Sequence, residues 1–262
     1  MSKLRLYLRI ARLLAVVGLG LLLACWVGGL ERLFRGRDLM VRRQRLTRWF
    51  LARLSAALPF RVKVTGAVPR QPMLWVSNHV SWTDIPLLGM LAPLSFLSKA
   101  EVRAWPVAGW LAHKAGTLFI RRGGGDSQLL RRQISQHLQQ DCALLIFPEG
   151  TTTDGRGLRT FHGRLLASAI DCDIALQPIA LRYLRDGQPD AIAPFIGDDD
   201  LLSHLMRLFS QPCADVEIQL LTPISSHGEE RAALAFKAQQ AISEALFGSE
   251  ADVLPQRRAK AA

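Results

Sequence analysis

Acidic side chains are almost missing from the first 60 residues. Only Glu31 and Asp38 stand there against twelve lysines and arginines, a local charge of +10 out of +11 for the 262-residue chain. The rest is nearly balanced, so the basic character belongs to an N-terminal arm. Cysteine is scarce too. Cys25, Cys142, Cys172 and Cys213 are far apart, without a C-x-x-C pair or zinc-finger spacing. That excludes a disulfide framework and points to a reducing compartment. The six histidines make no H-E-x-x-H pattern, so no metal and no resident cofactor is expected. There is no G-x-S-x-G elbow, which leaves a hydrolase-type serine nucleophile without support. Internal repeats and long linkers are also absent.

A basic arm suits nucleic acid or an anionic membrane. Its apolar content decides for membrane lipid, with no nucleic acid expected. Residues 13–30 are an uncharged run of 18, about 27 Å as a helix and enough for a bilayer core. A secretory signal shares the basic start. Here, however, the apolar run continues past Cys25, and eight basic residues follow it by Arg53. Such a segment resists translocation. It is expected to stay attached at a bacterial-type inner membrane, with the body of the protein on the cytoplasmic side. Residues 39–58 predict a second helix. Leu39, Leu46, Trp49, Phe50, Leu54 and Ala57 recur at helical spacing, and five arginines fill most of the remainder. This is the composition of a membrane-surface helix. A helix packed on the body with solvated arginines shares the pattern.

From Arg61 the texture changes. Apolar runs at 62–66, 73–76, 94–98, 117–120, 142–147, 174–183 and 216–221 predict strands. Helices are expected at 85–91, 100–115 with a break at Trp105-Pro106, 126–140, 161–170, 201–209 and 228–247. Strands alternating with helices predict an α/β fold, a mixed β-sheet flanked by helices. The expected division is a membrane-associated helical arm at 1–58, a catalytic domain at 59–247 and a flexible tail at 248–262.

Three strand ends carry the chemistry. His79 and Asp84 follow the strand ending near Val76, where open α/β sheets place ligands. A carboxylate five residues from a histidine can fix its tautomer and stabilise its protonated form; a buried histidine beside a helix-capping aspartate has the same spacing. Asn78 can fix that turn or donate a hydrogen bond. Arg121 and Arg122 end another strand, and an arginine fork suits a phosphate or carboxylate. Glu149 follows Pro148 at a third strand end. Gly150 then allows a tight turn, and Thr151 to Thr153 offer hydroxyls and N–H groups.

In this order and spacing the stretches resemble the glycerolipid acyltransferase family, which includes the 1-acylglycerol-3-phosphate acyltransferases. Its N-H-x4-D pattern matches Asn78, His79 and Asp84. Its G-x-x-F-I-x-R pattern matches Gly116, Phe119, Ile120 and Arg122. Its F-P-E-G-T pattern matches Phe147 to Thr151. The likeness spans roughly residues 60–225. It implies direct acyl transfer from an acyl carrier protein or coenzyme A thioester to the hydroxyl of a lysolipid. His79 would be the general base, Asp84 its partner, and Arg122 the head-group residue. Asn78, Gly116, Phe119, Glu149, Gly150 and Thr151 would complete the substrate site. Thr152-Thr153 and Phe161-His-Gly-Arg164 depart from the family's usual continuation. Ser81-Trp-Thr-Asp-Ile-Pro86 and Lys99 to Gly109 look like the lyso-ornithine lipid branch, whose acceptor carries a carboxylate in place of a phosphate. The reading from another class is a non-enzymatic, membrane-tethered basic module.

Overall fold

The central apolar runs, at 74–77 and 144–146, become strands buried on both faces, as parallel strands under helices must be. The structure, a computed structural model, describes residues 3–33, 40–120, 127–140 and 142–248. Its strands are β1 (Phe60–Thr65), β2 (Leu74–Ser77), β3 (Ser95–Lys99), β4 (Leu118–Ile120), β5 (Leu144–Ile146), β6 (Leu176–Arg185), β7 (Gln188–Pro189) and β8 (Ala214–Leu220). The helices are α1 (Lys3–Leu33), α2 (Met40–Ala57), α3 (Asp84–Gly89), α4 (Ala108–Lys114), α5 (Ser127–Gln139), α6 (Ala167–Asp171), α7 (Leu201–Ser210) and α8 (Arg231–Phe247). Strand order is β1-β8-β6-β2-β5-β3-β4, with β7 hairpinned onto β6.

Strands β6, β2, β5, β3 and β4 run parallel, while β8 pairs antiparallel with β6 and brings β1 with it. The sheet is therefore mixed, and the carboxyl ends of β2, β3, β4 and β5 share one edge. Side chains alternate between two cores. Trp75 and Leu145 face one side with Leu51, Leu87 and Leu88 of α2 and α3. Leu74, Val76, Leu144 and Ile146 face the other, with Ile134 and Leu138 of α5 and Leu234 and Ile242 of α8.

Three expectations need correction. The helix expected at 161–170 is a single turn, Gly163–Leu165, followed by the five residues of α6. The hairpin strand β7 lies in a stretch for which no strand was expected. The buried residues of α2 are Gln44, Thr47, Leu51, Ser55 and Ala57, and Trp49 of the expected apolar stripe is exposed. Small and polar residues take that face because α2 approaches α3 closely. A Cβ on Gly89 would collide with Leu51 and Phe96, and Gln44 donates to Ser95 Oγ at 3.0 Å.

The arm packs on the body along its length. Leu13 is buried with Leu58, Leu208 and Phe209, and Leu6, Ile10 and Val17 pack around them. Arg9 donates to the carbonyls of Phe209 (2.8 Å) and Gln211 (2.6 Å). The other side of α1 exposes Leu4, Tyr7, Leu8, Leu14, Leu22 and Trp26. By length and composition, Lys3–Leu30 is long and apolar enough to cross a membrane.

Candidate active site

β2 stops at Ser77 and the chain turns back through 78–83 into α3. This turn holds the first motif. Asp84 opens α3 fully buried, an anion in the first turn of a helix. Its Oδ2 accepts from His79 Nδ1 (2.7 Å), Val80 N (2.7 Å) and Ser81 N (3.0 Å). With Nδ1 turned to the carboxylate, Nε2 is the ring nitrogen left for a substrate proton. The imidazole stacks on Phe147, ring centroids 3.9 Å apart.

The loop after β5 grips the backbone of His79 from both sides. Glu149 Oε1 accepts from His79 N (2.9 Å) and its Oε2 from Arg159 N (2.8 Å). Thr153 N donates to His79 O (2.8 Å). Burial pushes the Glu149 carboxyl up to about 7, against the pull of its two N–H donors. Thr152 Oγ1 donates to Phe195 O, which ties the loop to the segment before α7.

Beside His79 lies a cavity of about 680 Å³. Most of its wall is apolar and comes from both halves of the chain. Val17, Gly20, Ala24 and Val27 of α1 line it, as do Phe50 and Leu54 of α2. His79, Gly150 and Thr151 line it too. Arg43, Lys99 and Lys114 add cationic groups to the same wall. Burial, and to a lesser degree Arg103, Lys114 and Arg43, holds the neighbouring His113 imidazole below its ordinary range.

The candidate residues separate into groups. His79, Asp84, Glu149, Gly150 and Thr151 come together. Asn78 is buried, and its amide both donates to Leu181 O and accepts from Leu181 N, each at 2.9 Å; it clamps the turn to β6. Gly116 lies at the amino end of β4, near Met40, Arg43 and Ser95, with φ +86°. Phe119 carries the Arg103 guanidinium 5.9 Å over its ring. Arg121 and Arg122 lie outside the described residues. Sequence reasoning missed Lys99 and Tyr183. Lys99 was signalled by ending a strand at the same sheet edge. Tyr183 had no motif of its own; its hydroxyl reaches Asp84 Oδ1 at 2.5 Å.

A lyso-ornithine lipid O-acyltransferase of Pseudomonas aeruginosa is 65% identical over 259 residues, covering 99% of this chain and all of that protein. This chain belongs to the glycerolipid acyltransferase family. The Acyltransferase family model matches residues 61–182. A 1-acyl-sn-glycerol-3-phosphate acyltransferase of Neisseria gonorrhoeae is 32% identical, over 76% of this chain and 79% of that one. The solved 1-acyl-sn-glycerophosphate acyltransferase of Thermotoga maritima shares the fold, with a TM-score of 0.60 at 19% identity over 91% of this chain and 96% of that one. The acyltransferase is thus an enzyme of lipid biosynthesis, and its three sequence motifs fall within the matched region.

Proposed function

We propose that the enzyme transfers a fatty acyl group from a thioester of acyl carrier protein or coenzyme A to the hydroxyl of lyso-ornithine lipid, at the cytoplasmic face of a bacterial inner membrane. The observation that carries this reading is the join between the His79–Asp84 pair and a large apolar cavity with cations in its wall. His79 Nε2 takes the acceptor hydroxyl proton as the oxygen attacks the thioester carbonyl. The tetrahedral intermediate expels the thiolate, and the imidazolium returns the proton to sulfur. Asp84 holds the tautomer and balances the imidazolium charge. The apolar wall takes an acyl chain. Lys99, Arg43 and Lys114 suit the acceptor carboxylate, and the family resemblance assigns Arg122 to the acceptor head group as well. The name of the 65%-identical relative favours ornithine lipid over a phosphate-bearing acceptor.

The test is thiol release from an acyl thioester by purified enzyme with lyso-ornithine lipid or lysophosphatidic acid. Release should depend on the former. His79→Ala should lower kcat by at least roughly 10²–10⁴-fold while the protein stays folded and membrane-bound. Equal turnover of both acceptors removes the acceptor assignment. No release with either supports the binding module.

A further inference from the structure

The His79–Asp84 turn itself fills one oxygen of Asp84, and a distant strand supplies the partner of the other. We infer that Tyr183, on β6, is a positioning residue for the general base, completing the His79–Asp84 pair from outside the family motifs; this rests on the proposal that His79 is the base. Oδ2 is filled by His79 Nδ1 and two backbone N–H groups. Oδ1 receives the Tyr183 hydroxyl at 2.5 Å. Because the phenolic proton is committed to the carboxylate, the 2.7 Å contact between Thr83 Oγ1 and the Tyr183 oxygen has Thr83 as donor. Thr83 thus donates to Tyr183 and Tyr183 to Asp84, while His79 donates to the same carboxylate from the other side, so the donors converge on Asp84.

Strand lengths put Tyr183 there. β2 has four residues and β6 has ten, paired from Leu74 with Leu176 to Ser77 with Ile179. β6 therefore overhangs the end of β2 and runs alongside the turn. Leu181 meets Asn78, and Tyr183, two residues on and on the same face, meets Asp84. Phe60 packs against the phenol ring at 5.3 Å. Burial and the Asp84 charge hold the phenol far above its ordinary range, so it stays a donor at every working pH.

The hydroxyl fixes the carboxylate plane and spreads its charge. Without it, the carboxylate loses a donor and pairs more strongly with the imidazolium that forms during transfer. Other ionisable groups around the pair are Glu149 with Arg159 on the β5 side and Asp190 beyond Tyr183. A hydroxyl deletion leaves these in place, so the difference from wild type isolates Tyr183.

The experiment measures kcat, both KM values and the pH profile of kcat for wild type, Tyr183→Phe, Thr83→Ala, Asp84→Asn and His79→Ala. Tyr183→Phe should lower kcat about 10- to 100-fold with KM values within about twofold. Its acid limb should move to higher pH. Thr83→Ala should shift the limb the same way by less, and carries the test if the phenylalanine variant does not fold. In an Asp84→Asn background Tyr183→Phe should cost nothing further. Unchanged kcat and profile in folded Tyr183→Phe overturn the inference. So does a loss of kcat with an unmoved limb that recurs in the Asp84→Asn background, which is packing alone. An active His79→Ala removes the base and this inference together; an inactive one beside a wild-type-like Tyr183→Phe removes only the inference.

Discussion

Glu149 illustrates how one residue is set by two opposed effects. Burial raises its carboxyl and two backbone N–H groups lower it, with burial winning at about 7. The folded state thus holds a proton that the unfolded chain releases near 4.5. Its contribution to stability is complete below pH 4.5 and is lost as pH rises through about 7. The full swing is at most about 3 kcal/mol. Glu149→Gln has no such titration and gives one backbone N–H an amide donor to face. The stability gap in favour of wild type should therefore narrow from pH 5 to 8 in urea titrations of the two proteins in detergent. A flat gap would mean that Glu149 ionises as an ordinary surface carboxylate does.

At the scale of elements, α1 and α2 belong to the site as much as the sheet does. Gly20 and Ala24 face the cavity from α1, and a Cβ on Gly20 would meet the Phe50 ring. Small residues there let the two helices close over the opening while leaving room for a chain. Filling that space should change which acyl donor fits. Ala24→Trp should shift the preference toward shorter chains by several carbons and leave acceptor KM nearly unchanged, measured with a series of acyl thioesters. An unaltered chain-length profile would show that the acyl group lies elsewhere. The short length of β2 is the other decisive element feature, since it frees the end of β6 to reach Asp84.

For the whole molecule, the question is how a helix long enough to span a bilayer can also pack on the body of the enzyme. Arg9 is fixed to the end of α7, and Gly28, nineteen residues later, lies near Lys114 at the end of α4. That separation is about 28 Å of helix. Crossing the bilayer would carry the polar surface of the body into hydrocarbon, so α1 is proposed to lie along one leaflet. Its exposed Leu8, Leu22 and Trp26 would sit among acyl chains. In a cysteine-free background reconstituted into vesicles, Lys3→Cys and Leu30→Cys should both react with an impermeant thiol reagent from the side that holds the catalytic body. Labelling of the two ends from opposite sides would show a spanning helix.

The ordered motifs, the alternation of strands and helices and the basic apolar arm are all local patterns. Each is written in residue type and spacing, which is why the acyltransferase family, the contact between His79 and Asp84 and the long apolar N-terminal helix were legible from the chain alone. Tertiary structure decided what depends on distance across the sheet. It set Tyr183 against Asp84, 99 residues apart in sequence, turned Asn78 and Glu149 onto backbone groups, and joined α1 to the cavity beside His79. No spacing rule reaches these, because strand overhang and close helix approach arise from the relative lengths and packing of elements rather than from any one of them.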